Sequence, residues 1–271
     1  MADKTNKYDI LVIDDEAVII EAVKRIATGE GFKVDSSLSA KEALGKLLET
    51  EYKLIITDIM MPEMDGFQLL EELEKRKLKI PVIVTTGYST VEMAVKSLAK
   101  GAIGYIPKPF TLDELLSIIY RGLEFEKIDK KIAKEQFNVT DASIIYVPCP
   151  PKYYRLGYNS WINIDNEGSV FVGVSDMYLK TIKTLKSLTL RNFEDNIVQG
   201  AICATFEAED GLIHHLLSPV SGMIIEPNDK LKEDITLIEK DPYFEGWLYR
   251  IIPSDLDFEL KNLVSCSSDR I

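Results

Sequence analysis

The sequence predicts an α/β domain, a helical linker and then an all-β domain. In roughly the first 120 residues, apolar runs that fit strands alternate five times with segments of helical period. This alternation favours a doubly wound parallel sheet. After a proline-rich break the pattern changes to short strands and turns, which is typical of a small β-sandwich or barrel with peripheral helices. A chain of 271 residues, 46% of them apolar, is long enough for two such cores.

Composition excludes several classes of protein. The net charge of −12 argues against indiscriminate binding to nucleic acid or to an anionic membrane. The first nine residues lack the apolar core of a signal peptide, and no apolar run could span a bilayer, so we expect a cytoplasmic protein. The cysteines are odd in number and widely spaced, which favours neither a disulfide framework nor a thiolate metal site: Cys149, Cys203 and Cys266.

Strands and helices of the first half follow from apolar periodicity and caps. A capping box predicts one helix start, where Ser39 precedes Glu42 by three positions. The predicted strands are 8–13, 32–35, 54–56, 80–84 and 102–106. The predicted helices lie around 18–26, from 39, at 66–76, at 90–100 and from 111.

Four of these strands end in side chains that suit phosphoryl chemistry. The residues are Asp14 with Asp15, Asp58, Thr86 and Lys108. Strand ends of a parallel sheet meet at one crevice, so we expect these groups to converge. Three carboxylates need a neutralising cation, and an all-oxygen ligand set suits Mg²⁺. One carboxylate could then attack phosphorus to form an aspartyl phosphate, while the lysine and hydroxyl hold the phosphoryl oxygens.

Residues 7–127 resemble the receiver domain of two-component response regulators, a flavodoxin-like fold. The resemblance rests on the acidic pair, on D-x-x-M-P-x-M-D-G from Asp58, on Thr86-Gly87, and on K-P-F from Lys108. It implies that Asp58 accepts phosphate from a histidine kinase or phosphotransfer protein. It also implies that Thr86 and Lys108 bind the phosphoryl group and that the Lys108–Pro109 peptide is cis.

The resemblance further implies a metal site and a switch. Asp15, Asp58 and the backbone carbonyl of Met60 would bind Mg²⁺, and Asp14 would act partly through water. Tyr105 would be the aromatic switch, together with Thr86. Taken singly, each of these residues also fits a plain cap, loop, turn or packing position, and only the ordered set favours the site.

Met60 and Tyr88 occupy the two positions that, in this family, influence attack of water on the phosphoryl group. Neither side chain positions water well, so we expect slow self-dephosphorylation.

The joint between the halves is predicted to be helical. Helical spacing continues from Thr111 to Ile132, and residues 124–134 are densely charged. This pattern fits either of two structures. One is a coiled-coil connector that joins two chains into a homodimer, and the other is a solvated helical linker. Residues 147–151, Val-Pro-Cys-Pro-Pro, end any helix. We therefore expect a receiver at 1–127, a helical and proline-rich linker at 128–151, and a second domain at 152–271.

In the second half, segments 160–164 and 169–174 predict a hairpin around Asp165–Gly168, and further strands are expected at 187–190, 202–207, 213–217 and 223–225. An amphipathic helix is expected over 255–263.

Residues 158–264 resemble the H protein of the glycine cleavage system, a lipoyl carrier with a barrel-sandwich hybrid fold. The matching stretches are Trp161, Gly168, V-G-V-S-D at 172–176, S-P-V-S-G at 218–222, Asn228, D-P-Y at 241–243 and G-W-L at 246–248.

One departure from that family decides the predicted function. The family's lipoyl lysine lies seven residues before the serine of S-P-V-S-G, and here that position is Gly211. No lysine occurs between Ala201 and Leu217, so no ε-amine can form the lipoyl amide. Asn159-Ser160 also replaces the family's usual His-Glu. We therefore expect no lipoate and an interaction domain for an unknown protein partner.

Other interpretations stay open. The histidines at 214 and 215 near the tip favour surface positions, since neighbours on a strand point to opposite sides and cannot share a metal. The second half could instead serve a glycine cleavage or lipoate-linked enzyme system as a carrier, or dock such enzymes without being modified. A transcription regulator is less favoured because the second half shows no helix-turn-helix with a basic recognition helix.

Overall fold

The computed structural model describes residues 6–135 and 146–267. By its internal contacts the chain divides into two compact units, residues 1–89 with 100–130 and residues 90–99 with 131–271. Part of the predicted linker, 136–145, lies outside the described residues. Within the described part, no helix is both long and apolar enough to cross a membrane.

The first unit is built on a five-stranded parallel sheet, as the sequence predicted. Its strands are β1 (Asn6–Ile13), β2 (Val34–Ser37), β3 (Thr50–Asp58), β4 (Val82–Thr86) and β5 (Gly104–Pro107). They lie in the order β2-β1-β3-β4-β5. The helices that follow these strands along the chain are α1 (Ala17–Gly29), α2 (Ala40–Glu49), α3 (Gly66–Lys75), α4 (Val91–Ala99) and α5 (Leu112–Glu135). By contacts, α4 belongs to the second unit.

The central strands are apolar because the sheet is buried on both faces. Ile10, Leu11 and Ile55 are fully buried, as expected for a parallel sheet. Strand β3 starts earlier than predicted because its polar first residues also pair with β1. In that extension Lys7 pairs with Glu51, and their side chains form an exposed ion pair at 3.4 Å.

The second unit contains two antiparallel sheets around an apolar core that includes Val172, Phe206 and Ile251. The strands are β6 (Tyr154–Leu156), β7 (Ser160–Ile164), β8 (Val170–Val174), β9 (Leu185–Leu190), β10 (Asn196–Ile197), β11 (Ile202–Ala208), β12 (Ile213–Leu217), β13 (Gly222–Pro227), β14 (Tyr249–Pro253) and β15 (Val264–Ser265). The seven-stranded sheet has the order β10-β13-β14-β8-β7-β6-β15, and the three-stranded sheet has the order β12-β11-β9. Short peripheral helices are α6 (Asp176–Lys180), α7 (Lys230–Glu233), α8 (Leu237–Lys240) and α9 (Leu256–Glu259). The predicted all-β class is confirmed.

Two details of the second unit were predicted wrongly. The amphipathic helix expected over 255–263 is only the single turn α9, followed by a 3-10 turn (Leu260–Asn262) and by β15. His214 is buried at 3% exposure, whereas His215 is exposed. The two side chains do point to opposite sides of β12, but one of those sides faces the core.

An ion pair and hydrogen bonds connect the β7–β8 turn to β14. Asp165 accepts hydrogen bonds from Ser169 and from Arg250, whose Nη2 lies 2.8 Å from Asp165 Oδ2. The Ser169 hydroxyl first, and Arg250 next, lower the Asp165 pKa from 3.8 to about 2. The folded pKa is below the unfolded one, so this stabilisation is complete above pH 4 or so and disappears as the pH falls through about 2.

We therefore expect Asp165→Asn to lower the free energy of unfolding by about 1–2 kcal/mol at pH 7, and by progressively less from pH 4 downwards. Denaturant unfolding across pH measures this difference. Glu167→Gln is the control, because that side chain also contacts Arg250 at 2.8 Å but is 80% exposed. Equal losses in the two variants at pH 7 would contradict the assignment.

Candidate phosphoryl-acceptor site

The strand register places the predicted residues side by side. Ile13 of β1 pairs with Thr57 of β3, and Asp58 pairs with Thr85 of β4. Thr86 pairs with Pro107 of β5, which precedes Lys108. The ends of four adjacent strands therefore present Asp14, Asp58, Thr86 and Lys108 along one edge of the sheet, as the sequence predicted.

Lys108 connects the two buried carboxylates. Its Nζ lies 2.7 Å from Asp14 Oδ2 and 3.1 Å from Asp58 Oδ1, and Glu16 Oε1 is 3.7 Å away. The side chains of Lys108, Asp14 and Asp58 are 9%, 2% and 5% exposed. The Lys108–Pro109 peptide is cis, as predicted.

The loop after β3 fixes the orientation of Asp58. Asp58 Oδ2 accepts the Met60 backbone N–H at 2.9 Å, and the Gly66 N–H donates to the Ile59 carbonyl at 2.9 Å. Asp65 then starts α3 with a reciprocal capping box. A Cβ at Gly66 would lie 2.4 Å from the Asp58 carbonyl oxygen, so the loop closes on α3 only because residue 66 is glycine.

The predicted switch residues occupy neighbouring strands. Thr86 is fully buried, and its Oγ1 accepts the Tyr88 N–H at 3.1 Å. Tyr105 is half-buried, and its hydroxyl is buried without a well-formed hydrogen bond among the described residues. Burial raises the pKa of Tyr105, and the nearby Ser89 side chain offsets part of that rise.

The charges of the site are strongly coupled. Burial raises the pKa of Asp14, an effect that the hydrogen bond from Lys108 reduces without cancelling. Burial lowers the pKa of Lys108, but its hydrogen bond to Asp14 and the two carboxylate charges outweigh that effect and the net shift is upward. Two buried carboxylates thus face one ammonium group, which leaves an excess of negative charge.

A divalent cation would fit this excess charge. The donors are oxygens, the kind of ligand that Mg²⁺ prefers. No three His, Cys, Asp or Glu side chains in the described residues are grouped to bind a metal ion by themselves. A backbone oxygen, such as the Met60 carbonyl, would have to complete the set.

Other predicted residues lie around this cluster. Asp15 is exposed, and Met60 and Tyr88 are 52% and 71% exposed. The sequence interpretation missed two residues, Glu16 beside Lys108 and Gly66 under Asp58. The acidic run 14–16 and the D-G pair at 65–66 were the available signals.

Comparisons with known proteins match each half of the chain to a domain family. A family model described as the response regulator receiver domain matches residues 10–120, and the glycine cleavage H-protein model matches residues 152–269. The chain carries a response regulator receiver domain joined to a glycine cleavage H-protein domain. We call these the receiver and the H-like domain.

Each of two curated relatives matches just under half of this chain. Regulatory protein AtoC of Escherichia coli is 36% identical over 123 residues, 45% of this chain and 27% of that protein. The probable transcriptional regulator ycf29 of Porphyra purpurea is 33% identical over 131 residues, 48% of this chain and 63% of that protein. The chain thus spans less than two thirds of either relative.

Among solved structures, the NtrX receiver domain of Brucella abortus is 35% identical, with a TM-score of 0.41 and coverage of 43% of this chain and 98% of that one. A glycine cleavage system H protein of Mycobacterium marinum is 27% identical, with a TM-score of 0.37 and coverage of 39% and 86%.

The H-like domain places Gly211 in the turn between β11 and β12. Gly211 has a φ of 81°, and its N–H donates to the Ala208 carbonyl at 2.9 Å. Glu209 and Asp210 complete the turn. The hairpin tip is therefore acidic and carries no amine.

Proposed function

We propose that this chain is a two-component response regulator that a histidine kinase or phosphotransfer protein phosphorylates on Asp58. The observation that carries the proposal is the convergence of the Asp14 and Asp58 carboxylates on Lys108 Nζ at 2.7 and 3.1 Å. Phosphoryl transfer to an aspartate requires a carboxylate that is held in place as the nucleophile and an ammonium group that binds the phosphoryl oxygens.

In the proposed reaction an Asp58 carboxylate oxygen attacks the phosphorus of the donor. The new O–P bond forms as the bond between phosphorus and the donor's imidazole nitrogen breaks. Lys108 and the Thr86 hydroxyl then hold phosphoryl oxygens. Asp15, Asp58 and the Met60 carbonyl would hold Mg²⁺, with Asp14 acting partly through water, and the ion would neutralise the carboxylates and the incoming phosphoryl charge.

We propose that the H-like domain works by protein contact and is not lipoylated. The acidic tip at Gly211 supports this, because lipoate needs a lysine amine. The chain would therefore be a signalling protein whose partners are the phosphodonor and an unidentified client of the H-like domain. The boundaries 1–127, 128–151 and 152–271 remain part of this proposal.

Phosphorylation of the full chain tests the function. With acetyl phosphate and Mg²⁺, we expect intact mass to increase by one phosphoryl group in the wild type, and not after Asp58→Asn or chelation of Mg²⁺. Asp176→Asn is the matched control, because Asp176 is equally buried (1% exposed, against 4% for Asp58) but lies in the H-like domain. Equal phosphorylation of the wild type and Asp58→Asn would refute the assignment.

The exposed side chains of Met60 and Tyr88 predict a long-lived phosphoryl group. Neither side chain is well suited to position a water for attack on phosphorus. We expect a half-life far longer than seconds, and we expect Met60→Asn with Tyr88→Glu to shorten it by about tenfold or more. Decay of the phosphorylated species on phosphate-affinity gels measures both. A wild-type half-life of seconds would contradict this interpretation.

A further inference from the structure

Strand β9 lies at one edge of the three-stranded sheet in the H-like domain. It pairs antiparallel with β11 and with no second strand among the described residues, since the sheet order is β12-β11-β9. Its first residue is engaged, because the Leu185 N–H donates to Glu239 Oε1 of α8 at 3.4 Å. The unpaired backbone groups of an edge strand are a template for pairing with another segment of chain.

A groove with a volume of about 610 Å³ lies beside the end of this strand, and we call it the β9 groove. Its apolar lining comes from β9, β13, α7 and the loop between β9 and β10, and includes Leu188, Leu190, Phe193, Ile225 and Leu231. Leu231 is 4% exposed and belongs to the core of the domain, against which Leu188 and Leu190 also pack. Other lining side chains are exposed, so this is an open groove and not an enclosed cavity.

The loop after β9 presents an aromatic side chain at the groove. Phe193 is 57% exposed, yet the backbone on both sides of it is fixed. The Asn192 N–H donates to Asp195 Oδ2 at 2.8 Å, and the Glu194 N–H donates to the Ile224 carbonyl at 2.9 Å. Glu194 also has a left-handed backbone with a φ of 65°, which is unfavourable for a residue other than glycine. Aromatic residues are enriched at interfaces, and a loop that is already ordered loses little entropy on binding, so Phe193 is a preformed contact.

The charges that line the β9 groove are not fully balanced. Lys232 and Asp229 pair at 2.7 Å, and Arg191 Nη2 donates to a backbone carbonyl of β11 at 3.1 Å. The exposed Glu226 carboxylate has no such partner among the described residues. The H-like domain as a whole carries 19 acidic and 11 basic side chains. The free carboxylate at the groove and the negative charge of the domain both favour a basic occupant.

We propose that the β9 groove binds an extended, basic peptide segment of a partner protein, which adds to β9 as a further strand. Alternate side chains of an extended segment point to opposite sides. Aliphatic side chains on one side would contact Leu188, Leu190 and Leu231, and the lysine or arginine side chains between them would approach Glu226. Main-chain hydrogen bonds to β9 would supply affinity, and the groove would supply specificity. This inference rests on the proposed function, because it identifies the surface and partner for the protein contact that we propose for the H-like domain.

Peptides of defined pattern test the proposal with the full chain. Two pools of fluorescein-labelled octapeptides are compared, one in which valine, isoleucine or leucine alternates with lysine and one in which they alternate with glutamate. In fluorescence anisotropy titrations we expect the lysine pool to bind about tenfold or more tightly than the glutamate pool. The tightest lysine peptide should slow hydrogen exchange in β9 but not in β12, the other edge of the same sheet. Binding by neither pool, or protection of β12 in place of β9, would overturn the proposal.

Two exposed residues of the groove give variants that should fold as the wild type does. Phe193→Asp should weaken binding of the lysine peptide by about tenfold. Phe258→Asp is its control, because that phenylalanine is 62% exposed and does not line the groove. Glu226→Lys should weaken the lysine peptide and strengthen the glutamate pool by about threefold each, whereas Asp257→Lys, at another exposed acid, should leave both nearly unchanged. Equal effects in a groove variant and its control would attribute binding to the general surface of the domain and overturn the proposal.

The remaining outcomes separate this inference from a different occupant and from the proposed function. A concentration-dependent dimer in analytical ultracentrifugation, abolished by Phe193→Asp and accompanied by no peptide binding, would assign the groove to a second copy of the chain and overturn the proposal. Normal phosphorylation of Asp58 without peptide binding would refute this inference alone. Peptide binding at β9 in a chain that takes up no phosphate at Asp58 would refute the phosphorylation that we propose and still support the assignment of the groove.

Discussion

Replacing Lys108 by methionine should both destabilise the receiver and block phosphorylation. Methionine keeps much of the length of the side chain but removes the charge that lies 2.7 Å from Asp14 and 3.1 Å from Asp58. Breaking a buried ion pair by removing one partner typically costs roughly 3–5 kcal/mol, because the remaining charges stay buried and uncompensated. We expect a loss of that size in the free energy of unfolding, measured by denaturant titration.

The same substitution removes a cation that would bind the phosphoryl oxygens. Loss of one such group commonly lowers a rate by about a hundredfold or more, and we expect that decrease in acetyl phosphate transfer. Mg²⁺ should raise the melting temperature of Lys108→Met more than that of the wild type, since a bound cation replaces part of the missing charge. This response would separate a charge effect from a packing defect.

Lys53→Met is the control for Lys108→Met. Lys53 Nζ also lies 2.7 Å from a carboxylate, that of Asp9, but the lysine side chain is 52% exposed. Exposed pairs contribute at most about 1 kcal/mol, and this one lies away from the site residues, so phosphorylation should not change. If the two variants were equally stable and equally phosphorylated, Lys108 would have no special role.

Much of the receiver could be predicted from the sequence because its strands are buried on both faces. Continuous apolar runs such as Leu54–Ile56 indicate strands that are buried on both faces of a parallel sheet. The polar residues that follow these runs mark one edge of the sheet. That is why Asp14, Asp58, Thr86 and Lys108 could be placed together before any geometry was known. Apolar periodicity does not encode the register between strands. The distances between these residues, and the position of Lys108 between two carboxylates, depend on that register.

The second domain was harder to predict from the sequence because its strands are short and irregular. Strand β14 follows directly on the G-W-L run, so no turn signal marks its start, and it was not among the predicted strands. At His214 and His215 the alternation of a strand gave opposite faces but not which face is inward. The apolar positions of α4, Val95 and Leu98, predict a buried stripe without saying which surface covers it.

Gly66→Ala tests whether the D-G pair after Asp58 is part of the site. The added methyl group would lie 2.4 Å from the Asp58 carbonyl oxygen and 3.0 Å from Ile59 Cα, both backbone atoms that cannot rotate away. Overpacking of this kind costs about 1–3 kcal/mol. Because the loop must move to relieve it, Asp58 moves too, and we expect transfer from acetyl phosphate to fall by about tenfold to a hundredfold.

A second helical glycine makes this a matched comparison. Nothing lies within 4 Å of a Cβ at Gly45 in α2. There alanine should stabilise the helix by up to about 1 kcal/mol and leave phosphorylation unchanged. We expect Gly66→Ala to destabilise the protein and Gly45→Ala to stabilise it, with phosphorylation lost only in Gly66→Ala. That result would attribute the loss of phosphorylation to the contact with Asp58. Equal phosphorylation in both variants would instead show that the β3–α3 loop absorbs the methyl group and that Gly66 serves only the helix start.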